Sequence, residues 1–168
     1  MGVDGFAYNL FLLLHVLAAI VGFGGVLLNG VYAAKSRALP PDQALAVMET
    51  NAFVSMKVAE KAIYAVALFG VALVEVSDDV WSWSNLWVWL SLVLYVAAIG
   101  VSHGALGPAV KEMLALQREV VEAGPPTTAG PPPQVTRMAE LGKKLGATSM
   151  YLDLSLVAIL VLMIWKPT

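Results

Sequence analysis

The sequence predicts an all-α protein, a four-transmembrane-helix bundle with helical cytoplasmic extensions. Three observations carry that expectation. Hydrophobic residues make up 59% of the 168-residue chain and charged residues only 13%, against about a quarter charged in a typical soluble domain. The charges are absent from long stretches and gather between them, the pattern of a chain solvated mostly by lipid. The tryptophans cluster near one set of segment ends, as amphipathic rings do at a membrane interface.

A helix rises about 1.5 Å per residue, so a hydrocarbon core of about 30 Å needs roughly 20 apolar residues. Span one is expected over 6–32, with no acidic or basic residue between Phe6 and Lys35. Its leading segment holds Asp4 and no Lys or Arg, unlike a cleaved signal peptide, so it reads as a retained span. Span two, over 53–76, is the weakest because Lys57, Glu60 and Lys61 enter its opening turns. Spans three and four are expected over 86–107 and 148–165, and the whole chain is read as one membrane domain.

Between the spans, Pro40-Pro41-Asp42 resembles a helix start, with Leu45, Met48 and Ala52 on one face. The cytoplasmic loop covers 108–147. Pro108 is placed to kink the end of span three, and Val110 to Ala123 reads as helical. Residues 123–134, AGPPTTAGPPPQ, read as a flexible break. Thr136 offers an N-cap for a helix running into span four.

Orientation follows from basic residues. Nine of ten lie beside or within the 33–61 and 108–147 regions, and only Lys166 lies on the other side. The positive-inside rule then places both termini outside. Trp81, Trp83, Trp87, Trp89 and Trp165 fall on that predicted outer side.

Several chemistries drop out. A net charge of −2 gives no support to a nucleic-acid partner. With no cysteine there is no disulfide, thiolate metal site or cysteine nucleophile. No Walker A, GxGxxG, HExxH or GxSxG pattern occurs, so an enzymatic activity is neither indicated nor excluded.

Small residues mark close helix contacts in lipid. Gly22 and Gly25 are the candidates in span one, and Gly100 and Gly104 form a GxxxG in span three. They fit packing within the bundle or a homodimer.

Ionisable groups inside spans are costly and are functional candidates by default. Counting from the outer aromatic residues, His15 lies about 13 Å deep and His103 about 24 Å deep. Two ligands on one metal must each approach to about 2 Å, so this offset argues against bis-histidine ligation of a single iron. His15 is expected to be satisfied by Tyr95, Ser91 or a backbone carbonyl. Glu60, Lys61, His103 and Asp153 fall at similar depths and form a candidate polar cluster, either an interhelical ion-pair network or a proton or ligand site.

The segment Leu14-His15-Val16-Leu17-Ala18-Ala19-Ile20-Val21-Gly22-Phe23-Gly24-Gly25 resembles the first-helix signature of CopD-like small bacterial membrane proteins, a group that includes the HemJ-type protoporphyrinogen oxidases. His15, Gly24 and Gly25 match, whereas Gly22 stands where that pattern has tryptophan. The closest likeness is to the four-helix branch without an assigned activity. The resemblance implies a bacterial inner-membrane location and, from the HemJ branch, haem b with His15 as an axial ligand. Met163 or a water is the candidate second ligand. Copper transport is not supported, because outer-side methionine and histidine are too few for a thioether-rich site.

Three candidate functions emerge. One is an accessory or scaffold component, or a homo-oligomer, with lipid and larger membrane complexes as its partners. Another is a haem-b redox protein; a third, a proton-coupled transporter centred on His103, Glu60 and Asp153, would need an oligomer because four spans are few.

Overall fold

The computed structural model describes residues 2–125 and 130–167, and their regular structure is helical with no strand among them. Six α-helices succeed one another: α1 (Phe6–Arg37), α2 (Pro41–Val54), α3 (Glu60–Glu75), α4 (Leu86–Val101), α5 (Gly107–Ala123) and α6 (Pro133–Trp165). Two π-helical turns, Ser55–Ala59 and Ser102–Leu106, join α2 to α3 and α4 to α5 without a break. The described residues therefore form four long rods, and the helical extensions expected between the apolar segments continue those helices. The break expected over 123–134 falls partly on residues outside those described.

Each helix start and stop has a local cause. Pro41 opens α2 with its fixed φ and its missing N–H at a position that needs no donor. Pro133 does the same for α6, so that helix starts three residues before Thr136, which is not its cap. Lys35 and Arg37 stand in the last turn of α1, where a helix end favours cations. Lys166 ends α6 in the left-handed conformation, φ 45°, its N–H bonded to the Leu162 carbonyl. Pro108 sits at the start of α5. A proline ring clashes with the carbonyl four residues back, and the π turn immediately before it accommodates the misfit.

Three rods are long and apolar enough to cross a membrane: Phe6–Arg37, Leu86–Ala123 and Pro133–Trp165. The α2–α3 rod differs because Lys57, Glu60 and Lys61 sit at its middle. They leave an uncharged stretch of 13 residues, Ala62 to Val74, or about 20 Å of helix. Large apolar side chains such as Ile20, Leu68, Val96 and Ile164 are 60–69% exposed. A band of this kind suits lipid rather than water.

Helix α1 packs along α3, and α4 along α6. The first contact is very close: a Cβ on Gly22 would stand 2.9 Å from Ile63 Cγ1, and one on Gly25 would stand 2.6 Å from Ala59 Cβ. Gly100 and Gly104 behave differently. Both are exposed, with nothing within 4 Å of a Cβ on either, so they serve no packing among the described residues.

The two ends are tied by side chains. At one, Trp81 Nε1 donates to Tyr8 Oη (3.0 Å), Trp81 packs edge-on to Trp87, and Lys166 Nζ lies 3.6 Å from the Trp81 ring centroid. Burial lowers the Lys166 ammonium from its ordinary value. At the other end, Arg118 pairs with Glu49 at 2.8 Å and Gln117 Nε2 donates to the Pro41 carbonyl, linking α5 to α2. Arg137 bridges Glu112 (2.8 Å) and Glu140 (3.1 Å), linking α6 to α5. Hydrogen bonds donated to Glu112 and then to Glu140 raise the Arg137 guanidinium above its usual value.

Candidate functional site

Helices α3 and α4 have no close backbone approach among the described residues, and side chains span the gap. The outer bridge is Tyr95 Oη donating to the Ile63 carbonyl at 3.3 Å. The inner bridge is a network of three side chains. Tyr64 Oη donates to Glu60 Oε1 at 2.8 Å and lies 2.9 Å from His103 Nε2. His103 Nε2 is also 3.2 Å from Glu60 Oε1. The Tyr64 and His103 rings stack at 28°.

Backbone geometry sets up this meeting. Glu60 and Tyr64 are one α-helical turn apart on α3, so they share a face. Glu60 directly follows the first π turn, and His103 lies inside the second. A π turn inserts one residue and rotates the remainder of the helix about its axis, and such turns recur at functional sites. Here each helix uses one to aim a polar group at the same gap. His103 Nδ1 bonds the Ile99 carbonyl at 3.0 Å, which makes Nδ1 the N–H donor and aims Nε2 at Tyr64 and Glu60.

This network can hold its labile proton in two ways at constant charge. In one, Glu60 is a carboxylate, Tyr64 donates to it, and His103 is an imidazolium. In the other, Glu60 is a carboxylic acid donating to Tyr64 Oη, and Tyr64 donates to a neutral Nε2. The first becomes the second when Nε2 gives its proton to Tyr64 Oη as the tyrosine O–H proton passes to Glu60.

The network is open on the side of the bundle: the His103 side chain is 51% exposed and that of Glu60 35%. Sequence reasoning placed Glu60 and His103 together and missed Tyr64, although its i,i+4 spacing from Glu60 was the available signal. Lys61 is exposed next to Glu60. Asp153 does not join the network. It lines a separate cleft, and its Oδ1 is buried with no hydrogen-bond partner among the described residues. The expected four-residue layer is thus two sites.

His15 is held by the backbone. Its Nδ1 lies 2.9 Å from the Val66 carbonyl, and its ring rests on Gly70. Tyr95 bonds Ile63 instead, and the buried Ser91 hydroxyl has no partner among the described residues. Met163 is half-exposed near the end of α6. No group of three or more His, Asp or Glu side chains suited to a metal occurs among the described residues.

The family described as "Predicted integral membrane protein (DUF2269)" matches residues 9–167, nearly the whole chain. The chain belongs to that family. Comparison with curated proteins and with solved structures gave no match. Membership agrees with the apolar, exposed helices and establishes an integral membrane protein.

Proposed function

We propose that this DUF2269 member is a four-span, CopD-like protein of the bacterial inner membrane, with both termini outside, that works as an oligomer and exchanges protons through Glu60, Tyr64 and His103. The continuous hydrogen bonding among those three side chains is the observation that carries this reading. The α2–α3 rod counts as the fourth span because Glu60, at its charged midpoint, meets His103 in the π turn that follows α4.

Open exposure of such a network to lipid is costly, so a second chain is the natural cover. Gly100 and Gly104 lie on the same α4–π-turn segment and leave room for a helix to approach. The accessory or scaffold role is the same assembly without proton movement. Reconstituted vesicles with a potassium-diffusion potential and a trapped pH dye separate the two. Wild type should carry protons above protein-free vesicles, and Tyr64→Phe should fall to that background. Equal flux from both would end the proton reading and leave the scaffold.

A second reading is favoured by His15. With Nδ1–H engaged by the Val66 carbonyl, Nε2 keeps its lone pair, the arrangement a ligating histidine adopts when a carbonyl fixes its other nitrogen. His15 would hold haem b as one axial ligand, and the haem would supply one-electron chemistry. Met163 fits poorly as the other. Tyr8 and Lys166 both contact Trp81, and from that level His15 lies about 10 Å inward but Met163 only about 5 Å. The visible spectrum of protein from haem-replete cells tests this: a Soret band absent from His15→Ala supports it, and colourless wild type excludes it.

A further inference from the structure

A cleft of about 940 Å³ opens between α1, α2, α5 and α6, away from the His103 network. Its walls are mainly apolar and include four of the seven methionines: Met48, Met113, Met138 and Met150. Thioether side chains are flexible and polarisable, which suits a wall that must adapt to large apolar bodies. The volume lies in the range of sites that enclose a drug-sized molecule.

Asp153 is the one acidic side chain among the residues lining this cleft. Its Oδ1 is buried and unpartnered among the described residues. The wall also carries two basic residues, Arg37 and Lys143. Lys143 is ten residues before Asp153 on α6, about 15 Å along the axis, and Arg37 ends α1. The cleft therefore has a large apolar body, one acidic residue in its wall, and Lys143 about 15 Å from that residue along α6. A buried carboxylate oxygen without a donor is stabilised by an incoming cation.

We propose that this cleft binds a lipophilic monocation, with its positive centre on Asp153 and its apolar groups among the four methionines. An anionic amphiphile would have to place apolar or negative atoms against Asp153. Gly146 lines the same cleft, and a Cβ there meets nothing within 4 Å. A large side chain at that position fills the cleft without displacing backbone.

Calorimetric titration of the full-length protein in detergent with tetraphenylphosphonium tests the proposal. Wild type should bind one cation saturably, and Asp153→Glu should retain binding. Asp153→Asn should weaken it by about tenfold or more, the loss of one charged contact. Gly146→Phe should abolish it with the melting temperature preserved. Should Asp153→Asn fail to fold, Asp153→Glu and Gly146→Phe carry the decision. Absence of saturable binding by wild type overturns the proposal. So does wild-type affinity in folded Asp153→Asn or in Gly146→Phe, or equal binding of tetraphenylborate, an anion of the same shape.

Discussion

The imidazole of His15 rests against Gly70: a Cβ on that glycine would stand 3.2 Å from His15 Cε1 and 3.5 Å from Nδ1. The ring reaches the Val66 carbonyl because nothing projects from α3 one turn further on. Gly70→Ala should therefore push the ring by a few tenths of an ångström and destabilise the protein by about 1 kcal/mol. In a His15→Ala background the same change should be neutral or stabilising, since alanine outranks glycine in a helix by about 1 kcal/mol. Thermal unfolding of the four proteins in detergent checks this, and equal losses in both backgrounds would refute the contact.

The glycines of α1 and α4 should respond in opposite ways. Gly25→Ala puts a methyl 2.6 Å from Ala59 Cβ, and Gly22→Ala meets the Ile63 backbone nitrogen at 3.1 Å. Backbone atoms cannot rotate aside, so α1 and α3 must separate, at about 1–3 kcal/mol for each variant. Gly100→Ala and Gly104→Ala meet nothing and should leave monomer stability unchanged or slightly raised. If their open face is a subunit contact, Gly100→Leu should reduce the oligomer seen by light scattering while the melting temperature holds. Strong destabilisation by Gly104→Ala would contradict the observed packing.

Ser77 is fully buried at the end of α3. Its hydroxyl donates to the Val74 carbonyl at 2.8 Å and accepts the Trp81 N–H at 3.0 Å, which fixes the turn that carries Trp81 to Tyr8. Ser77→Ala leaves that N–H without its partner, a cost of about 1–3 kcal/mol. The tryptophan emission should shift to the red as Trp81 loosens. An unchanged spectrum and melting temperature would show that the turn is held by other contacts.

Much of this architecture was legible in residue patterns. Hydropathy located the rods, and Pro41 marked the start of α2 because a proline at a first helical position acts locally. What hydropathy could not reveal is that the rods run on unbroken through the polar regions, for charged and apolar helix share one backbone geometry. Depth counting brought Glu60 and His103 to one level, since axial rise depends on residue number alone. It could not give azimuth, which two π turns reset, and so Asp153 was grouped with residues it does not face. The same ambiguity hid the role of the glycines: Gly22 and Gly25 pack closely against the α2–α3 rod, yet Gly100 and Gly104, equally well spaced, point away.

The Glu60–His103 pair offers a last test, in which the environment sets the magnitude. With 35% and 51% of the side chains exposed, a water-accessible pair of this kind contributes roughly 0.2–1 kcal/mol. With His103 protonated, the same pair covered by lipid or by a neighbouring helix lies in a lower dielectric, where attraction between the charges is stronger. A double-mutant cycle of Glu60→Gln and His103→Gln should therefore give a small coupling in detergent, with Tyr64→Phe reducing it further because the bridging hydroxyl is lost. Repeated in lipid bicelles, the coupling should grow. A coupling of zero in both media would mean that the 3.2 Å contact carries no energy and that the two π turns aim Glu60 and His103 at each other without consequence.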